Sequence, residues 1–205
     1  MPSKARQDFE ARLDDIQQLI DAHDALTRLR KAEAALEAGG QDLGNVAVVI
    51  QHLVTDPGVG RRKEVHALNN AGIALLSGHL QGYIVDLYQE CASALLAGHV
   101  QSVPALTDAA YTRGNPNPQN IKSMFGSLGF DDVFNGLSWQ KMSTAALKKK
   151  LNDFNTLRNQ IVHGSNEHVR KQVLVNHLNV FRKFAEKLDA KLRGEIHSVT
   201  GNYPW

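Results

Sequence analysis

Arg158, Asn159 and His163, close together near the end of one segment, are the side chains of this sequence best suited to chemistry on a phosphate ester. A guanidinium keeps its charge at any working pH and holds phosphate oxygens through paired N–H donors. An imidazole near its ordinary pKa of about 6.5 can take or give a proton at neutral pH. An amide can orient either partner. On a helix at about 100° per residue, with Phe154 at the origin, Leu147, Leu151, Leu157, Ile161 and Val162 fall within about 80° either side. Arg158 falls inside that apolar sector at about 40°, while Asn159 and His163 lie near 140° and 180°. A buried guanidinium without a partner costs several kcal/mol. Arg158 is therefore expected to meet a carboxylate, line a wet cleft or await an anion. An ion pair with Asp86 or Glu90 is the plain structural alternative. For His163 it is a helix C-cap favoured by the macrodipole, and for Asn159 an exposed polar position. Spacing alone leaves these alternatives open.

The elements that must position this trio read as helices. Phe9, Leu13, Ile16, Ile20, His23 and Leu26 recur at steps of three and four, predicting a helix over 3–37 that stops at Gly39-Gly40. Val46–Leu53 is read as a shorter helix before the turn Asp56-Pro57-Gly58. Arg61 to about Ala97 is the strongest helical stretch, and Gly72, Gly78 and Gly82 within it suggest close approach of a neighbouring helix. Between Gly98 and Trp139 the pattern breaks up. A short helix is expected over Pro104–Tyr111, and another after Asn115-Pro116-Asn117-Pro118, with Asn117 as cap and Pro118 in the first turn. Ser143 or Thr144 should cap the helix that reaches His163 and closes at Gly164. Ser165 should cap a last helix over roughly Asn166–Arg193, leaving His197–Trp205 loosely packed. The fold expected is all-α: one domain over 1–205, an up-and-down bundle of four to five main helices with a short helical and loop insert.

Composition fits one ordinary globular domain. The chain has 205 residues, 42% hydrophobic and 21% charged, with a formal net charge of +2. That balance permits contact with nucleic acid through local clusters without demanding it. Candidate clusters are Arg61-Arg62-Lys63, Lys148-Lys149-Lys150 and Arg170-Lys171, each equally readable as a solvated helix face. The single cysteine, Cys91, excludes an internal disulfide. No HExxH or other ligand spacing links the histidines, so neither metal nor cofactor is expected. His79 and His177 read as hydrogen-bonded core residues. The uncharged stretch Val65–Val85 is too polar for a membrane span, and Met1–Leu13 has no apolar core of a signal, so a cytoplasmic location without membrane contact is expected.

Three blocks in order resemble the HEPN superfamily, in particular its RiboL-PSP type. Arg158-Asn-Gln-Ile-Val-His163 is similar to the Arg-x4-6-His motif, including the polar residue after the arginine. Leu68–Ile84 looks like the long central helix of that branch, and Gly114–Phe125 like the insert before its motif helix, so the likeness spans about 61–193. The resemblance implies a homodimer whose two motif helices share one cleft. It also implies metal-independent cleavage of an RNA substrate, found mostly in toxin–antitoxin and other defence systems, so an antitoxin protein is a candidate partner. Where similar sequences often carry a glutamate in the central helix, this chain has Gln81, leaving Asp86 and Glu90 as substitute helpers. The catalytic set so implied is Arg158, His163 and Asn159. Alternatives from another class are a non-catalytic helical interaction module, or a partner subunit of a nucleotidyltransferase or an antitoxin.

Overall fold

The computed structural model describes residues 1–38, 61–96, 114–165 and 167–205. The helices expected at Val46–Leu53 and Pro104–Tyr111 lie outside the described residues. Among those described, the chain is all-helical, with α1 Lys4–Ala38, α2 Arg61–Leu95, α3 Pro118–Gly126, α4 Thr144–Val162 and α5 Lys171–Thr200. The long helix α2 is the hub, packing against each of the other four.

The core follows the apolar stripes. Phe9, Leu13, Ile16 and Ile20 of α1 bury against Ile73, Leu76, Leu80, Tyr83 and Leu87 of α2. Leu174, Leu178, Phe181, Phe184 and Leu188 of α5 close the other side, with Leu147, Leu151 and Phe154 of α4. Each such side chain contributes roughly 1.5–3 kcal/mol on leaving water. Tyr83 donates its hydroxyl to the Ala185 carbonyl at 2.9 Å, joining α2 to α5, and burial holds that hydroxyl protonated by pushing its pKa well up.

Two of the three glycines of α2 mark close approach. A Cβ on Gly72 would lie 2.5 Å from Leu174 Cδ2 of α5, and one on Gly82 would lie 2.7 Å from the Arg12 guanidinium, which crosses there to reach Asp86. Gly78 faces open space instead, so close packing does not explain it.

Helix ends show why the motif helix sits where it does. The first turn of α1 is held by Ser3, whose Oγ accepts the Arg6 N–H, and by Glu90, whose carboxylate accepts the Lys4 and Ala5 N–H groups. Asn117 caps α3 by accepting the Asn120 N–H, with Pro118 in the first turn. Ser143 caps α4 by accepting the Ala146 N–H at 3.2 Å, and the Thr144 hydroxyl donates to the Leu137 carbonyl. At its far end His163 is the C-cap, and Gly164 turns the chain away at φ 80°, a left-handed conformation in which glycine carries no Cβ strain.

The last helix departs from expectation at both ends. It begins at Lys171, with Arg170 as an N-cap that makes no side-chain bond, and Ser165 is not its cap. The residues before it are tied to α2. Asn69 and His66 both bond the Val169 carbonyl, while Asn70 donates to the Glu167 carbonyl and accepts the Val169 N–H. These tertiary bonds satisfy backbone groups that a helix would otherwise have used. At the other end α5 runs on to Thr200, and Gly201 in the left-handed region ends it. The tail packs on that helix rather than loosely. Tyr203 stacks on His197 with centroids 3.9 Å apart, the Arg193 guanidinium lies over the Tyr203 ring, and Arg193 Nε donates to the Trp205 carbonyl.

Candidate active site at the end of the motif helix

Helix α4 buries Leu147, Leu151, Phe154 and Asn155, while Leu157 and Ile161 are partly covered. Val162, assigned to the apolar sector from the sequence, is 51% exposed, because the bundle covers less of the last turn than the full stripe would require. Phe154 anchors the helix to α5, its ring meeting Phe181 edge-on at 4.6 Å and His177 at 4.9 Å. His177 is only 5% exposed, and its Nδ1 has no partner among the described residues, so it is packed between rings rather than hydrogen-bonded as expected. Burial, with Lys150 nearby, drives its pKa down to about 4, so at neutral pH the ring is uncharged. His79 does bond, to Asp15 at 3.2 Å.

Arg158 is half-buried, and among the described residues no carboxylate lies within ion-pairing distance of it. Its Nη1 donates to Asn159 Oδ1 at 3.1 Å. The same oxygen accepts a second bond, 3.3 Å, from Nδ2 of Asn115 in the insert. Two donors converge on one atom, which fixes it as the amide oxygen and leaves Asn159 Nδ2 without a partner among the described residues. His163 is exposed at the C-cap, its ring unbonded among the described residues. Five residues on an α-helix correspond to about 140° of rotation and about 7.5 Å of rise. One copy of the chain thus places Arg158 and His163 at one helix end but on different sides of it.

The carboxylates weighed as partners or helpers are used elsewhere. Asp86 accepts from Arg12 at 3.2 Å, and Glu90 holds the start of α1, so neither pairs with Arg158. Gln81 lines a small crevice together with Gly114, Asn115, Pro116 and Asn120. Through Asn115 that crevice adjoins the Asn159–Arg158 pair.

Of the five basic-cluster residues whose side chains are described, three have structural partners. Lys148 bonds Asp132 at 3.2 Å and lies over the Phe134 ring, and Lys149 pairs with Asp153. Burial pushes the Asp132 carboxyl up, but the Phe134 N–H and the Lys148 ammonium outweigh it and hold the group below its ordinary pKa. Lys171 pairs with Asp24 at 2.7 Å. Arg170 is exposed and Lys150 half-buried, while Arg61, Arg62 and Lys63 begin α2 with side chains outside the described residues. No described helix is long and apolar enough to cross a membrane, and no group of three described His, Cys, Asp or Glu residues is arranged to hold a metal ion.

Sequence reasoning overlooked Asn115 and the asparagines of α2 that clasp 167–169. The signal for the first was an excess of asparagine between prolines, more than one helix cap needs. For the second, Asn69-Asn70 interrupts an otherwise apolar stripe.

No curated protein and no solved structure matches the chain. Residues 105–193 match the RiboL-PSP-HEPN family model, a span that holds α3, the motif helix α4 and most of α5 but stops short of α2. That match supports a HEPN-type domain over residues 105–193.

Proposed function

We propose that this chain is a metal-independent endoribonuclease of the HEPN type, acting as a toxin or defence-system nuclease. The observation that carries the reading is a half-buried guanidinium, Arg158, held by an amide instead of a carboxylate, at the same helix end as the open imidazole of His163. A cation kept unneutralised and partly out of water is a standing site for an anion.

RNA brings its own nucleophile. His163 takes the proton of the 2′-hydroxyl, and the oxygen attacks the adjacent phosphorus. The bond to the 5′-oxygen breaks, and that oxygen leaves with a proton delivered by an imidazolium. Arg158 holds the phosphate and offsets the charge of the transition state, worth about 10²- to 10³-fold for a well-placed donor. Asn159 donates its Nδ2 hydrogens beside the guanidinium. The products are a 2′,3′-cyclic phosphate and a 5′-hydroxyl.

The 140° between the two residues argues for two copies. In a homodimer with facing motif helices, Arg158 of one copy and His163 of the other reach a common phosphate. Val162, exposed next to His163, is then covered. An antitoxin would act by occupying this cleft.

A second reading, a non-catalytic interaction module or a partner subunit of a nucleotidyltransferase, is favoured by Gln81 and by the commitment of Asp86 and Glu90 to α1. One assay separates them. Purified protein is incubated with RNA in EDTA beside Arg158→Ala and His163→Ala, and product ends are mapped. Cleavage to cyclic phosphate ends, lost about a hundredfold or more in both variants, supports the nuclease. Equal residual cleavage in all three samples supports the module.

A further inference from the structure

We infer that Asn115, outside the motif, is a positioning residue that braces the Arg158 guanidinium through Asn159. This rests on the ribonuclease reading only for its effect on catalysis. The contact itself is structural.

The brace is built from the turn that starts α3. The Asn115 carbonyl accepts two bonds, from the Asn117 N–H at 2.8 Å and from Asn120 Nδ2 at 2.9 Å. Asn117 in turn caps the helix by accepting the Asn120 N–H at 2.8 Å. Pro116, which is buried, and Pro118 restrict the backbone on either side. Gly114 at φ 74° admits the chain into the turn. With its backbone fixed at both neighbours, Asn115 presents a side-chain amide that has lost little further freedom when it bonds Asn159.

The polarity of the relay matters as much as its stiffness. Asn115 uses a donor, and Arg158 can only donate, so both demand the oxygen of Asn159. Without Asn115, the Asn159 amide is held by one bond and is free to rotate away from the guanidinium. With it, the oxygen is locked toward Arg158, which leaves the NH₂ group beside the guanidinium free to donate to a phosphate oxygen. A cap-like turn in a separate segment thus determines where the motif's cation and amide point.

The test reads Arg158 directly. Wild type, Asn115→Ala, Asn115→Gln, Asn159→Ala and the double variant Asn115→Ala/Asn159→Ala are treated with phenylglyoxal, and Arg158 modification is followed by peptide mass spectrometry, with exposed Arg182 as reference. Asn115→Gln keeps an amide and the fold but shifts the group by a methylene. Arg158 modification is expected to rise about threefold or more in each single variant, with no further rise in the double, because the two residues form one relay. An unchanged Arg158 rate in both Asn115 variants overturns the inference, and so does a double variant whose effect is the product of the singles. On RNA, Asn115→Ala is expected to lower kcat about tenfold with KM changed less, since the interaction aligns the cation for the transition state. If wild type does not cleave RNA, the ribonuclease reading falls, while the labelling still decides whether the brace exists.

Discussion

Lowering the pH should loosen the packing that holds the motif helix, through one buried ring. His177 lies between Phe154 of α4 and Phe181 of α5, with its Nδ1 unpartnered among the described residues and its pKa near 4. In the unfolded chain the same imidazole titrates near 6.5. Its folded pKa is depressed, so below pH 6.5 the unfolded state binds the proton first. The stability tied to the neutral ring is fully present above about pH 6.5 and is lost as pH falls toward 4. The whole shift corresponds to about 3 kcal/mol, and about 2 kcal/mol of it is lost between pH 7.5 and pH 5. Lys150 adds to the depression and Asp153 opposes it, but burial dominates. Urea unfolding at pH 7.5 and pH 5 measures the effect, with His177→Phe as control, since phenylalanine keeps the aromatic packing and removes the titration. Wild type should lose about 2 kcal/mol more than His177→Phe over that interval. Equal losses in the two proteins would refute the assignment of the acid sensitivity to this ring.

Other substitutions follow from the same contacts. Gly72→Val should destabilise by roughly 1–3 kcal/mol in chemical unfolding, because its side chain meets Leu174 where even a Cβ has no room. Glu90→Ala removes the acceptor of the Lys4 and Ala5 N–H groups and should cost about 1–2 kcal/mol, read as a lower urea midpoint with cleavage of RNA unchanged at temperatures where the fold persists. Arg158→Lys keeps the charge and loses the planar fork. It should lower kcat about tenfold or more without moving the unfolding midpoint, in a kinetic and melting comparison with wild type.

How far the sequence could be read depended on whether local rules competed with distant partners. The Ser143 cap, the Gly164 stop and the Asn117-Pro118 start are local devices, and all three were legible because neighbours in sequence supply the bonding groups. The start of α5 was not. Ser165 looked like a cap, but Asn69, Asn70 and His66 lie about a hundred residues away in sequence and take the backbone groups of 167–169. The tail was misread for a related reason: its anchors, Arg193 and His197, belong to a helix whose end had been placed too early. Within the site, the wheel put Arg158 inside the apolar sector and His163 off it; the structure leaves Arg158 half-buried and His163 exposed. Which carboxylates Arg158 would meet depended on α1, whose Arg12 and N-terminal turn claim Asp86 and Glu90. Periodicity within one helix carries no information about such competition.

Mixing two disabled chains puts the proposed site to its sharpest test. Arg158→Ala and His163→Ala are co-expressed, the assemblies are purified, and RNA cleavage is followed in EDTA beside each variant alone and wild type. If the guanidinium of one copy works with the imidazole of the other, each mixed dimer holds one complete site. Random pairing should then restore about a quarter of the wild-type rate. A mixture as inactive as either variant alone, beside an active wild type, would contradict a cleft shared between two copies; an inactive wild type would contradict the nuclease itself.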